Sequence, residues 1–221
     1  MMNPQPLFDF RGIESAAHLQ ESLAKLVAIQ VDDGSMPKLV CGLDAAYSDS
    51  SGVGVAAVVD LVTGREVETA HSKLEGLVPY FPGLFGFREG PLLLEATSKL
   101  RSSPDMFIVE GHGLAHPRRF GLACHVGVAL NKPTVGVARK LLYGKEIEDL
   151  SIVDADGTVL GKAVKPRLRK RPLYVSVGYK TNLTSAVNVI ISSMIHSPEY
   201  PLPLRIAHQE AVQQKRRILS H

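Results

Sequence analysis

The sequence predicts a mixed α/β fold: an antiparallel meander, then parallel strands, with helices flanking the sheet. Three observations carry that prediction. Three β-prone runs follow one another at 38–48, 53–62 and 65–74 with short turns between them, and such turns join antiparallel neighbours. From residue 106 onward, strand-like runs alternate with helical ones, a pattern that favours parallel pairing through right-handed crossovers. Helical periodicity marks both ends of the chain.

The first element is helical. In IESAAHLQESLAKLVAIQV (13–31), Ile13, Ala16, Leu19, Leu23, Leu26 and Val27 recur near the helical period, and Asp32-Asp33-Gly34 ends the run. KLVCGLDAAYS and VGVAAVVDLV are strands joined by the turn-rich DSSG, and Thr63-Gly64 turns the chain into REVETAHSKL. After the loop GLVPYFPGLFG, a helix runs through EGPLLLEATSKL. MFIVEG is a fourth strand, RRFGLACHVGVAL a helix and TVGVAR a fifth strand. LYVSVGY is a further strand, TSAVNVIISSMI a helix, and PLRIAHQEAVQQKRRIL a last, amphipathic helix. With no internal repeat or low-complexity linker, residues 1–221 are expected to form one domain.

Composition narrows the functional classes. Hydrophobic residues make up 45% and charged residues 21%, an ordinary soluble balance. No apolar run reaches the roughly 20 residues needed to cross a bilayer. MMNPQPLFDFRGIES lacks the basic start and apolar core of a secretory signal. No membrane partner and a cytoplasmic location are therefore expected. Cys41 and Cys124 lie in apolar surroundings and read as buried free thiols. The net charge of +3 is local: GKAVKPRLRKRP carries Lys162, Lys165, Arg167, Arg169, Lys170 and Arg171 and no acid. Such a strip can follow a polyanion, phosphate above all. A solvated loop explains it equally well.

Two carboxylates stand where apolar strands should continue. Asp44 interrupts LVCGLDAAY, and Glu110 ends FIVEGHG. A lone buried carboxylate costs several kcal/mol unless a cation or several donors compensate it. Two in one sheet suggest a shared compensator, and ligands of open α/β sheets collect beyond the carboxyl ends of strands. Glu89, in FREGP at the start of a helix, offers a third oxygen ligand. Oxygen-only ligands suit Mg²⁺ or Mn²⁺ better than zinc. Taken singly, each acid could be capped locally, Glu89 by Arg88. The glycines around Glu110, which admit a ligand closely, tip the reading towards a metal. His112, His116 and His125 do not have zinc-motif spacing, and HPR at 116–118 reads as donors to phosphate at a helix N-terminus. His208 lies on the last helix, where a lone histidine is usually structural.

These residues resemble the endonuclease V family, the deoxyinosine 3′-endonucleases. The resemblance runs from about Gln30 to Arg217. It is carried, in order, by GLDAAY (42–47), PYFPG (79–83), EGHGLAHPRRFGLACHVG (110–127) and RIAHQ (205–209). It implies a ribonuclease H-like fold with the first and fourth strands side by side. Asp44 and Glu110 would then share a Mg²⁺ ion, which Mn²⁺ can replace, with Glu89 reaching in from a helix. The implied partner is DNA containing deoxyinosine. The implied reaction hydrolyses the second phosphodiester bond 3′ to the deaminated adenine, leaving 5′-phosphate and 3′-hydroxyl. His208 would orient water or handle a proton. Pro79, Tyr80, Phe81, Pro82 and Gly83 match the family's wedge, a loop stiffened by prolines so that its aromatic tip can enter the duplex. The purine would turn out into a pocket formed by Gly83, Gly111, Gly121 and Leu142. His116, Arg118, Arg169, Lys170 and Arg171 would hold phosphate, and a monomer is expected.

The chain departs from the family twice, with Glu110 for the usual aspartate and Arg139, in GVARK, for the usual lysine. The added methylene can displace a metal by about an ångström, a misplacement that can cost about 10²-fold in rate. On the sequence alone, Glu110→Asp is expected to raise the rate with Mg²⁺ and to help less with Mn²⁺. Arg139 keeps the cation and can clamp phosphate, but cannot donate and recover a proton. Two alternatives stand beside this reading: an endoribonuclease for inosine-containing RNA, and a protein that binds deaminated sites with weak or no cleavage.

Overall fold

The computed structural model describes residues 5–30, 34–48 and 51–219. Helix α1 (Ile13–Ala24) precedes the strands β1 (Leu39–Ser48), β2 (Ser51–Asp60) and β3 (Arg65–Leu74). Helix α2 (Phe85–Ser98), strand β4 (Met106–Glu110), helix α3 (Leu122–Leu130) and strand β5 (Thr134–Ala138) follow. Three short strands come next: β6 (Lys145–Glu146), β7 (Ser151–Val153) and β8 (Val159–Val164). Strand β9 (Leu173–Tyr179) and helices α4 (Leu183–Ser193) and α5 (Leu202–Leu219) complete the order.

Among the described residues, nine strands form one mixed sheet in the order β3-β2-β1-β4-β5-β9-β8-β7-β6. The meander β1–β2–β3 is antiparallel, and β1, β4 and β5 are mutually parallel. Both features are those predicted. The parallel half is shorter than the strand–helix alternation suggests, because β9 joins β5 antiparallel. Its link from β5 is the β6–β8 meander, which the sequence pattern did not reveal, in place of a crossover helix.

Burial follows the two faces of the sheet. Cys41, Leu43, Phe107 and Val109 pack with Leu93 and Ala96 of α2 and Val126 of α3. Val40, Ile108 and Val137, on the other face, pack with Val189 and Ile190 of α4 and Leu204 of α5. Cys41 and Cys124 are free and buried, as expected, and burial pushes both thiols up from their ordinary pKa.

Several boundaries differ from the sequence pattern for local reasons. α1 stops at Ala24, because the Ala28 carbonyl accepts from Lys180 and Ile29 bridges to Thr181. The Asp32-Asp33 stop and the Asp49-Ser50 part of the DSSG turn lie outside the described residues. α2 begins at Phe85, so Glu89 stands one turn inside the helix rather than at its start. α3 begins only at Leu122, since Gly113 and Gly121 bring the preceding loop against backbone of Val177 and His112.

Gly42 sets the distance between β1 and α5. A Cβ there would lie 2.2 Å from the Pro203 carbonyl carbon and 2.6 Å from the Leu204 nitrogen. Both are backbone atoms and cannot rotate away. Gly42→Ala should therefore force α5 outward. Overpacking of this kind costs about 2 kcal/mol, a fall in Tm of roughly 4–8 °C for a chain of this size. Calorimetry would check it, and an unchanged Tm would show that α5 does not depend on that contact.

Candidate active site

The parallel register pairs Leu43 with Val109. The next residues, Asp44 and Glu110, therefore come side by side on the α5 face. Asp44 is 5% exposed, and Glu89, which α2 brings from the opposite face, is 3% exposed. Burial raises the pKa of Glu89 well above the ordinary carboxyl value, and the charges of Asp44 and Glu110 raise it further against the opposing Arg88 and Tyr47. Glu110 is raised by burial and then by Asp44, against Tyr200, Arg139 and His208. The charge of Asp44 thus acts on Glu89 and Glu110 in a largely buried space that screens it poorly.

Each acid nonetheless has a polar neighbour. Asp44 Oδ2 lies 2.8 Å from His208 Nδ1, and its Oδ1 accepts from the Ala45 N–H at 2.8 Å. The hydrogen bond to Asp44 raises the His208 pKa despite partial burial. Glu110 Oε2 accepts from the Tyr200 hydroxyl, while Oε1 lies 3.4 Å from Arg139 Nε. Tyr47, which counts among the groups that hold the Glu89 pKa down, lies under the Arg88 guanidinium, 4.2 Å from its ring centroid. Neither Tyr47 nor Tyr200 was singled out by sequence. Tyr47 closes the motif GLDAAY, which could have flagged it; Tyr200 lies outside every motif.

The donors suit a hard cation in chemistry and in charge. They are carboxylate oxygens, and the mutual repulsion is what a divalent ion would relieve. Among the described residues, no three His, Cys, Asp or Glu side chains converge into a ready-made metal group. Magnesium does not need one, since it binds through one or two carboxylates and keeps several waters. The residues therefore fit Mg²⁺ held by Asp44 and Glu110, and do not form a closed cage.

The loop 79–83 leads into the same region. Tyr80 is 60% exposed and meets Phe85 edge-on, whereas Phe81 stacks on Phe10. Gly83 has φ 76°, a conformation that L side chains rarely adopt. Its carbonyl accepts from Arg118 Nη2 at 2.7 Å and from His116 Nε2 at 3.0 Å. Arg118 Nε also donates to Gln20 of α1. Burial, and then Arg118, hold the His116 pKa down at about 4, so the ring is neutral and its Nδ1 accepts from the Arg118 N–H. The sequence assigned His116 and Arg118 to phosphate; in the structure both side chains are occupied with Gly83.

A cavity of about 300 Å³ opens beside Glu110. Tyr80, Gly83, Gly111, Gly121 and Leu142 line it together with Glu110 and Arg139. His112, not singled out as a pocket residue by sequence, lines it too and carries a buried Nε2 without a partner. The basic strip divides. Arg169 reaches the Tyr200 ring, with Lys170 and Arg171 exposed beyond it, whereas Lys162, Lys165 and Arg167 border a separate groove against α4.

If Arg118 fastens the loop, Arg118→Ala should loosen residues 80–84 without unfolding the sheet. A hydrogen bond from a charged donor contributes about 1.5–3 kcal/mol, so amide exchange there should quicken by about tenfold or more. Exchange unchanged at Leu84 would mean that the loop is held by other contacts.

Comparison with known proteins follows the same geometry. The family model described as Endonuclease V matches residues 21–209. Endonuclease V of Thermus thermophilus is 38% identical, over 95% of this chain and 96% of its own. That of Desulfurococcus amylolyticus is 36% identical, over 90% and 93%. The crystal structure of endonuclease V from Streptomyces avermitilis superposes with a TM-score of 0.84 at 30% identity, covering 94% of this chain and 95% of that one. A Ciona intestinalis endonuclease V in complex with DNA containing an inosine followed by a ribo-adenosine gives 0.82 at 26% identity, covering 95% and 99%. The chain belongs to the endonuclease V family.

Proposed function

We propose that this protein is a metal-dependent deoxyinosine endonuclease acting in DNA repair, a cytoplasmic monomer that nicks DNA at the second phosphodiester bond 3′ to a deaminated adenine. The nick leaves 5′-phosphate and 3′-hydroxyl. The observation that supports it best is the shared cavity, where Tyr80, Gly83, Gly111, Gly121 and Leu142 meet Glu110 and Arg139. A base held there lies beside the acids, so recognition and cleavage are coupled by distance.

In this reading Asp44 and Glu110 hold Mg²⁺ or Mn²⁺, and Glu89 completes the negative field behind them. Bound there, such an ion would supply Lewis acidity towards a phosphate oxygen and a stronger water nucleophile. The chain's own residues do the rest. Asp44 fixes the His208 ring through Nδ1, which leaves Nε2 to orient water or pass a proton. Arg139, 41% exposed at its side chain, offers its guanidinium to the phosphate. Tyr80 takes the place of the displaced base on a loop that Arg118 and His116 keep rigid. Arg169, Lys170 and Arg171 follow the backbone without reading sequence.

Asp44→Ala should abolish nicking of deoxyinosine DNA while leaving its binding within a few fold. Gel assays with Mg²⁺, Mn²⁺ or a chelator would check both, and nicking within tenfold of wild type would remove the metal assignment. A protein that binds such DNA but nicks it with neither metal is the deaminated-site binder instead. Because the Ciona relative was crystallised with a ribo-adenosine after the inosine, matched strands carrying ribose or deoxyribose at that position should be cut side by side. Faster cutting of the ribose strand would favour RNA as the substrate.

Tyr80→Ala should reduce discrimination between inosine-containing and undamaged duplex, since opening the helix costs a few kcal/mol that the ring helps to offset. Single-stranded inosine substrate should lose less activity. Equal losses on both would exclude the wedge role.

A further inference from the structure

Tyr200 touches both Glu110 and Arg139, the two positions at which the family resemblance implies aspartate and lysine. It is 6% exposed, and its ring belongs to the core cluster that contains Ile108 and Leu204. Its hydroxyl donates to Glu110 Oε2. The Arg139 guanidinium lies 4.8 Å from its ring centroid, and that of Arg169 lies 5.9 Å away. Arg139 Nε approaches the other Glu110 oxygen at 3.4 Å. A phenol and a guanidinium thus grip one carboxylate from two sides, and the guanidinium also rests on the phenol.

We propose that Tyr200 is the positioning residue for the Glu110 carboxylate, and that Glu110, Arg139 and Tyr200 form a fitted set. The added methylene gives glutamate one more torsion to fix than aspartate has. A carboxylate offers about four lone-pair sites; Tyr200 takes one on Oε2 and Arg139 faces Oε1 as an ion pair, which leaves others for a cation. The ring is anchored in the core, which makes its hydroxyl a fixed donor. The arginine is held by its face, within the range of a cation–π contact. A shorter acid at position 110 would withdraw by roughly one carbon–carbon bond, about 1.5 Å, beyond hydrogen-bond reach of that hydroxyl. The geometry therefore argues against the gain that the sequence alone suggests for Glu110→Asp.

This inference rests on the reading of Glu110 as a metal ligand, and its test does not depend on cleavage. Mn²⁺ affinity of the nucleic-acid-free protein is measured by calorimetric titration, with Tm followed in parallel. Tyr200→Phe keeps the ring and loses only the hydroxyl. Partners that orient a metal ligand are worth about 10–100-fold in metal affinity, so Tyr200→Phe should weaken Mn²⁺ binding by that factor. Glu110→Asp should weaken it comparably, and the double variant should be no worse than Glu110→Asp alone. Mn²⁺ binding by Tyr200→Phe within twofold of wild type would overturn the proposal. So would tighter binding by Glu110→Asp, or penalties that multiply in the double variant. If Tyr200→Phe melts below the assay temperature, the sign of the Glu110→Asp effect decides, tighter binding again overturning the proposal. Wild-type protein that binds no Mn²⁺ overturns the metal reading together with this one, whereas wild-type binding left unchanged by Tyr200→Phe overturns the Tyr200 role alone.

Discussion

The constraint on which the rest of the structure depends is the parallel register of β1 and β4. It sets Asp44 beside Glu110 at the ends of two buried strands, and α2 adds Glu89 from the other face. Three acids in a poorly screened space cannot all ionise freely, and Glu89 and Glu110 are accordingly raised. The neighbouring polar groups answer that excess. His208 comes from α5, Tyr200 from the turn before it, Arg139 from the end of β5, and Tyr47 from β1 itself. The site is thus a cluster of three acids with its polar and cationic supports arranged around it.

Close backbone approach gives those supports their positions. Gly42 lets α5 lie against β1, which is how His208 reaches Asp44. Gly113 and Gly121 fold the loop after β4 back on itself, so that Gly111 and Glu110 face the cavity. Gly83, with its positive φ, takes two donors on one carbonyl. The rigidity of that loop is therefore imported from residues far away in sequence, including Gln20 on α1. Tyr80 thus remains exposed on a loop whose carbonyl at Gly83 is held from two sides.

The sequence made the sheet legible because its strands carry unambiguous signals. β3 and β9 fall where the alternation places them, whereas the Asp44–Glu110 pairing needed the strand order that the family resemblance implies and the register that the structure shows. β6, β7 and β8 were missed, being two to six residues long, too short for periodicity to register. The helix starts were displaced because loop packing overrides local propensity, as at Leu122. The acids and His208 could be identified by type and motif, but their partners could not. Nothing local to Tyr200 announces a contact 90 residues away. For His116 and Arg118, residue type suggests phosphate, and the structure adds a partner that type does not announce, the Gly83 carbonyl.

The divided basic strip shows how a composition signal can contain two different things. Six positive residues within twelve positions suggest one polyanion-binding surface. Strand β8 pairs its half of the segment between β7 and β9, which sets Lys162 and Lys165 against α4 with Arg167. The chain then turns, and Arg169 comes over the outer side of Tyr200 while Arg139 contacts the same ring and Glu110. Arg169 therefore belongs with the groups around Glu110, apart from the rest of the strip. A charge that close acts through contact and is little affected by salt, whereas exposed charges farther than about 8 Å from their target are screened at physiological ionic strength. The two parts of the strip thus differ in kind: Arg169 meets the Tyr200 ring, whereas Lys170 and Arg171 are exposed to solvent and its ions.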